Sequence, residues 1–491
     1  MSLTSNSPGL VPHPKKGVAL NDNYLNFTDG SGNDFAQQYL PELYEAEVER
    51  YGNRTISGFL RMVGAEMPMT SDQVVWSEQN RLHVAYDNCA LDTAGTYTTN
   101  TIDITLSAAD SGNMAIKVGN TIVVQGDAGE AVCRVNAISG AGTAWEIEAE
   151  PYEYANLDAL YDNADALVVF VFGSEYAKGS DTSGANAIST ITPNFTQYDN
   201  KPIIIRDQFT VNGSDTAQIG WVEVATEDGT SGYLWYMKAE SETRLRFEDY
   251  MEMTMVESVK KDGGTSLPTD ITGSEGLFAA IKDRGQVMDA FAGAAGGIGA
   301  LGDFDEILKQ LDKEGAIEEN MLFLNRALAL EIDDMLGQVN GATQGNNLVG
   351  ASFGLFDNEA DMALNLGFSG FRRGSYDFYK TDWKYLNDAA SRGVASLNSS
   401  ITIDGAALVE GVMVPAGTST VYDQILGQNI RRPFLHVRYR ASETDDRRMK
   451  SWITGSVGGA YTSGLDAMEV HFLSERCLCV QGANNFVLFR S

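Results

Sequence analysis

YLWYMKAESETRLRFEDYMEMTMVESVKK, residues 233–261, runs without a Gly or a Pro. One long helix is expected, roughly 40 Å from end to end at ~1.5 Å per residue. Gly232 precedes it and Asp262-Gly263-Gly264 ends it. Lys260 and Lys261 fall in the expected last turn, where cations suit the negative end of the helix dipole. Phe247, Met251 and Met255 recur at i, i+4, with Val256 and Val259 beside them and Leu234, Met237 and Leu245 upstream. Charged residues from Glu240 to Glu252 occupy much of the rest, so there is no single clean apolar stripe. A helix this long exceeds what one small core covers. Two readings follow: a core helix of an α+β domain, or a spine laid across a sheet with its outer face met by a neighbouring molecule.

Composition narrows the function. The chain has 491 residues, so two to four structural units are expected. A formal net charge of -32 argues against a nucleic-acid-binding surface, which needs clustered cations. Four cysteines are too few for a disulfide scaffold. Cys477 and Cys479 share one face of an expected strand and read as small buried hydrophobes rather than metal ligands. The start of the chain, MSLTSNSPGLVPHPKKG, has no signal-peptide pattern, and no apolar run approaches the ~18 residues of a membrane span. A soluble protein made inside a cell is expected.

Outward from the helix, residues 1 to about 32 are small, polar and Pro-bearing and should form an extended arm, followed by a helix over Asp34–Arg50. Val74, Trp76, Leu82 and Val84 suggest a projecting hairpin turning at Ser77–Asn80. From about Ala94 to Phe172, apolar residues alternate at Ile102/Ile104/Leu106, Ile122/Val124, Cys133/Val135 and Trp145/Ile147/Ala149, with turn residues between. That pattern predicts an inserted all-β barrel or sandwich, returning through Gly179–Ala187. Strands are expected at Ile203–Arg206 and Phe209–Val211 before the long helix. After it come a short helix at Gly276–Asp283 and a Gly/Ala loop at Ala290–Gly302. Asp303 and Glu306 read as a capping-box variant opening a further helix. Met321–Leu324 reads as a buried strand, with Asn325 capping a helix over Arg326–Leu336. The remainder is β-rich: Tyr376–Tyr379, Ile401–Ile403, Val412–Val414, Phe434–Tyr439, Met468–Leu473 and Cys477–Val480.

Catalytic chemistry is sparse. Gly350-Ala351-Ser352-Phe353-Gly354 has the shape of a nucleophile elbow, with His436 or His471 as base and Asp361 or Asp382 as acid. Five residues with two glycines arise easily in a chain with fifty glycines, and a loop is the simpler reading. No Walker lysine, HExxH or CxxC is present, so neither a cofactor nor a transition-metal site is expected. The anomaly is in the cations. Arg431, Arg432, Arg438, Arg440, Arg447, Arg448 and Lys450 fall within twenty residues of an acidic chain. They read either as local salt bridges to Glu443, Asp445 and Asp446, or as a basic stripe that meets the acidic surface of another copy.

The order of these elements resembles the major capsid protein of tailed bacteriophages, of the Hong Kong 97-type fold. The likeness is carried by Asn194–Tyr198 with Phe209–Gly213 before the helix, by Gly276–Ile281, Asp303–Gly315 and Met321–Arg326 after it, and by the C-terminal run. That run, Arg432–Arg440 through Arg448–Ser456 to Asn484–Leu488, looks most like the crAss-like phages. The resemblance implies an α+β fold with an N-arm (1–55), the first part of an E-loop (56–93), an inserted β-domain (94–175) and an E-loop return (176–206). A P domain with the spine helix (207–275), an A domain (276–430) and C-terminal strands (431–491) complete it. It implies no enzyme and no cofactor, but self-assembly into hexamers and pentamers of an icosahedral head enclosing double-stranded DNA, put together in the bacterial cytoplasm. Partners would be other copies, with portal, scaffold and decoration proteins, weak contact with DNA and none with membrane. The seven cations, with Trp76, are the candidate intersubunit residues. No long charged helical scaffold region is visible at the N-terminus, a departure from some members. The competing readings are an encapsulin-like nanocompartment shell, an α/β hydrolase using Ser352, and an extracellular adhesin or tail protein.

Overall fold

The computed structural model describes residues 56–63, 65–79, 81, 83–92, 100–108, 111–112, 114–162, 165–179, 195–216, 224–225, 231–232, 235–261, 263–289, 298–315, 317–332, 369–388, 390–393, 409–416, 418–423, 428–457 and 462–490. The arm and helix expected before residue 56, the Ser352 elbow with Asp361, and the strand at Ile401–Ile403 lie outside them. The elements mix helices with sheets in an α+β arrangement, and the chain divides into two compact units.

One unit is residues 75–198. Its heart is a closed antiparallel barrel in the order Ala85–Asp92, Thr101–Thr105, Ala144–Pro151, Gly129–Ala141, Asn120–Gly126 and Leu167–Ser174, the last pairing with the first. Period-2 alternation puts Ile102, Ile104, Ile122, Val124, Cys133, Val135, Ile147 and Ala149 inside, each almost wholly shielded. Tyr161 plugs the barrel, and its hydroxyl donates to the carbonyls of Val124 (2.9 Å) and Gly129 (3.0 Å). A Cβ at Gly126 would come within 2.9 Å of that ring, so the plug needs glycine opposite it. The first strand begins before the boundary at 94 read from the sequence. Its inward residues Tyr86, Cys89 and Leu91 are spaced three and then two apart, because the register shifts between Tyr86 and Cys89. A bulge of this kind erases the alternation that marks a strand.

The expected hairpin at 74–84 is not formed. Val74–Gln79 runs straight through Ser77 and Glu78 and pairs with Phe195–Asn200. Trp76 lies within this ribbon, 8% exposed, its indole N–H donating to Glu78 at 3.0 Å and its ring 6.3 Å from that of Tyr198.

The other unit joins residues before 75 to those after 198. Its first sheet is built on the strand Ala467–Val480. Ile203–Asn212 runs antiparallel along one edge. Along the other lie, in tandem, Lys450–Gly455 and Leu435–Arg440, and outside the latter Ala65–Met69 adds in parallel. Two strand pairs expected from sequence are therefore single strands, at 203–212 and 467–480.

The long helix is Trp235–Glu257. Phe247 and Met251 pack on Met468, Val470 and Phe472, with the Phe247 and Phe472 rings stacked at 5.8 Å. Met255 and Val256 join a second core containing Leu277, Phe278, Leu435, Val437 and Leu478. The helix is thus the spine over the sheet. It stops before the two lysines expected in its last turn. Lys260 bridges to Gly273 and the Lys261 N–H donates to Thr272 O at 2.9 Å, which draws the chain out of helical geometry.

Charged flanks of the spine hold other segments. Asp249 accepts the N–H groups of Ile56 (3.0 Å) and Ser57 (2.9 Å), and Glu252 those of Gly58 (2.7 Å) and Phe59 (2.8 Å). Burial pushes the Glu252 carboxyl above its usual range, against the pull of those two N–H groups. Phe59 is thereby set between Trp383, stacked at 4.4 Å, and Phe323, edge-on at 4.5 Å. Glu257 binds Arg392 and accepts from the Tyr385 hydroxyl at 2.5 Å.

A second sheet runs in the order Gln286–Asp289, Val487–Arg490, Val409–Pro415, Glu319–Leu324, Tyr376–Asp382 and Ser369–Arg373. The helix Ile298–Glu314 covers it with Phe304, Ile307 and Leu311. That helix starts ahead of Asp303, so Asp303 is not its cap. Asn325 does cap the helical residues 326–332, its Oδ1 accepting the Leu328 N–H at 2.7 Å.

Asn200 fastens the edge of the first sheet to the end of the loop that follows the spine. It is wholly buried, donates to the carbonyls of Glu275 (2.9 Å) and Leu478 (2.7 Å), and accepts from the N–H groups of Glu275 (2.8 Å) and Lys201 (2.9 Å). Asn200→Ala orphans several buried backbone groups and should cost about 3 kcal/mol, read as a lowered urea midpoint. An unchanged midpoint would contradict this accounting. Residues 75–198 expressed alone should unfold cooperatively in urea, because the barrel closes on its own core; a gradual, non-cooperative loss of signal would count against that.

Candidate assembly interface

Of the seven expected cations, five have side chains placed in the first sheet and its connections. Arg431 and Arg432 lie on the strand Gln428–Pro433, in register with Thr420 and Ser419 of Thr418–Asp423. Arg438 and Arg440 are on the strand Leu435–Arg440, Arg447 and Arg448 follow in the connection, and Lys450 opens the next strand. The structure gives most of them carboxylate partners within the same chain.

Glu475, on the long central strand, is the hub. Its side chain is 8% exposed and forms ion pairs with Arg440 (Nε to Oε1, 2.8 Å) and with Arg447 (Nη1 to Oε2, 3.0 Å). Arg440 also binds Asp72 and donates to Thr70 O at 3.3 Å. Glu66, on the N-terminal strand, binds Arg448 and, at 3.3 Å, Arg476. Arg476 is buried too, donating to Ser474 Oγ and to Arg448 O, each at 2.8 Å. Burial lowers its guanidinium pKa, while Glu66 opposes that shift. Lys450 pairs with Asp445 at 2.6 Å, and Arg438 reaches Pro68 O at 3.5 Å.

Glu443, Asp445 and Asp446, the acids within the basic stretch itself, are too few to balance seven cations. Glu66, Asp72 and Glu475 supply the balance, and two of them lie nearly four hundred residues away in the chain. No periodicity or spacing signals a pairing of that separation. Among the five whose side chains are described, Arg448 is the most open, with 56% of its side chain exposed over the Tyr439 ring at 5.7 Å. Trp76, at 8% exposure, has little ring surface left for a neighbour.

Cys477 and Cys479 are buried on one face, in register with Arg438 and His436. The neighbouring Cys479 thiol and burial together raise the Cys477 pKa. His436 Nδ1 lies 3.1 Å from Pro433 O. Among the described residues, no group of three His, Cys, Asp or Glu is arranged to hold a metal. His471 Nε2 lies 2.8 Å from Thr454 Oγ1, and Glu469 approaches that same nitrogen at 3.5 Å. A relay needs the carboxylate on the other ring nitrogen, so this trio lacks the geometry of a catalytic triad.

Glu475→Gln keeps the shape of the hub but leaves Arg440 and Arg447 facing a neutral amide. It should lower unfolding free energy by about 3 kcal/mol in a urea titration. Arg448→Glu, at a half-exposed pair, should cost about 1 kcal/mol or less. A larger loss for Arg448→Glu than for Glu475→Gln would reverse this ranking.

No protein-family model matches the chain, and no curated protein does. Among solved structures, it is similar to a chain of Microbacterium phage Oxtober96, at 8% identity and a TM-score of 0.40, over 94% of this chain and 99% of that one. It is similar to a chain in the asymmetric unit of the bacteriophage PhiM1 mature capsid, at 9% identity and a TM-score of 0.37, over 97% and 98%. A third similarity is to the virus-like particle from Pyrococcus furiosus, at 8% identity and a TM-score of 0.27, over 60% and 79%.

Proposed function

We propose that the chain is a structural shell protein, the major capsid protein of a tailed bacteriophage of Hong Kong 97 type, in the crAss-like group that its C-terminal run resembles. The observation that carries this reading is the spine. A twenty-three-residue helix lies across a sheet made from strands of both ends of the chain, in the element order that the resemblance expects. An α+β unit with its own second sheet follows, as an A domain would. In this reading the copies form hexamers and pentamers of an icosahedral head around double-stranded DNA, assembled in the bacterial cytoplasm with portal, scaffold and decoration proteins.

The physics of the chain suits that role. A net charge of -32 keeps a shell lining from gripping packaged DNA. Large contacts between copies, closing into rings, replace a catalytic pocket. The barrel unit stands at the exterior of the shell or between capsomers. The segment Arg431–Lys450 lies at or near a subunit boundary, where Arg448 and Lys450, each half-exposed and already paired with Glu66 and Asp445, face acids of another copy. The protein acts without enzymatic turnover or a cofactor.

Negative-stain electron microscopy and sedimentation of the purified chain test the reading directly. Rings or closed shells are expected as concentration rises. A species that stays monomeric across the accessible range would overturn it.

A further inference from the structure

The loop between the spine and Leu277 is pinned in place yet exposes apolar side chains. Asn200 holds its end through Glu275, and Ser274 Oγ donates to Asn200 Oδ1 at 3.2 Å. Lys261 staples it from inside, its Nζ donating to the carbonyls of Leu267 (2.8 Å) and Pro268 (2.6 Å). Gly273 turns it at φ +69°, where a Cβ would meet Val259 O at 2.4 Å. On this fixed frame Val259, Leu267 and Ile271 are 66%, 51% and 49% exposed. A loop held by this many hydrogen bonds has already lost much of its freedom, so a partner binding it meets a small ordering cost.

Beside these residues lies a cleft of ≈ 270 Å³ lined by Lys201, Lys260, Lys261, Asp199 and Ile271, among others. Three lysines to one aspartate is the reverse of the balance in the whole chain, where 67 Asp and Glu face 35 Lys and Arg. Lys260 pairs with Asp199 at 3.7 Å, while the Lys261 ammonium is bonded to carbonyls and, among the described residues, meets no carboxylate. Asp270 also sits on the loop.

We infer that this loop and cleft form a docking surface for an acidic segment of a second copy of the chain. A free anion would use the lysines but not the apolar rim, and an extended nucleic acid would face the field of a strongly acidic protein. Another copy supplies both the carboxylates and apolar side chains to cover Leu267 and Ile271. The choice of a second copy rests on the shell reading.

Zero-length carbodiimide coupling of a mixture of isotopically light and heavy chains, read by mass spectrometry, tests the contact apart from the shape of the assembly. Linkages from Lys201 or Lys260 to carboxylates of the other isotope are expected. Leu267→Asp with Ile271→Asp, and separately Lys201→Glu, should each raise the concentration for half-assembly at least about tenfold. Their thermal unfolding should stay that of the wild type. Shells that form normally from both variants, with lysine linkages only inside one copy, would overturn the docking surface and leave the shell reading standing. Inter-copy linkages in a wild type that makes only small oligomers would support the surface and remove the shell. Protection of Lys201 from acetylation by inorganic phosphate, without inter-copy linkage, would overturn it in favour of a free anion.

Discussion

Glu475 and Arg476 put two adjacent charges into the middle of a strand that is buried on both faces, and the rest of the larger unit is arranged around their needs. A buried charge left alone costs several kcal/mol, so each must find partners. Because neighbours on a strand point to opposite faces, the two need separate sets. On one face Arg440 and Arg447 close on Glu475. On the other, Glu66 meets Arg476 and Arg448. Only the N-terminal strand can bring Glu66 there, so its parallel docking and the burial of Arg476 support each other. Residues 65–69 are thereby locked to the C-terminal strands.

The spine helix has the same double duty, which explains why its sequence lacks a clean apolar stripe. Phe247, Met251 and Met255 make a narrow row for the two cores. The flanks are polar because Asp249, Glu252 and Glu257 are tethers. Four backbone N–H groups of residues 56–59 end on the first two, and Arg392 and Tyr385 on the third. These carboxylates, which only break up the apolar stripe when the sequence is read alone, are the joints between the spine and segments far from it in the chain.

What the sequence disclosed and what it hid follow from the range of the forces involved. Local periodicity exposed the spine, most strands of the barrel, and the Asn325 cap. It failed wherever a distant partner sets the structure. The strand 467–480 reads as two pieces in the sequence because Ser474, Glu475 and Arg476 interrupt its apolar run, and they are tolerated there through Glu66 and the arginines. The barrel strand 85–92 carries no strand signal in the sequence because a bulge breaks its alternation. The ribbon of 74–79 with 195–200 spans a whole inserted barrel, so no turn signal could mark it. Of the candidate interface, the cluster of arginines was visible but its partners were not.

That last point changes where self-association is to be sought. Arginines already shared with Glu66, Asp72 and Glu475 have little charge left to offer, and exposed pairs are worth at most about 1 kcal/mol each. An acidic chain that spends its cations internally presents other copies with a still more negative surface. Close approach then requires local sites where positive charge is held open and apolar area is at hand to supply affinity. The loop after the spine meets both conditions on a frame fixed by Asn200 and Lys261. Its root is also the place where the spine, the edge strand 203–212 and the helix from Leu277 converge. A partner seated there would press on all three at once, so contact between copies and the rigidity of the spine would be coupled through the same few hydrogen bonds.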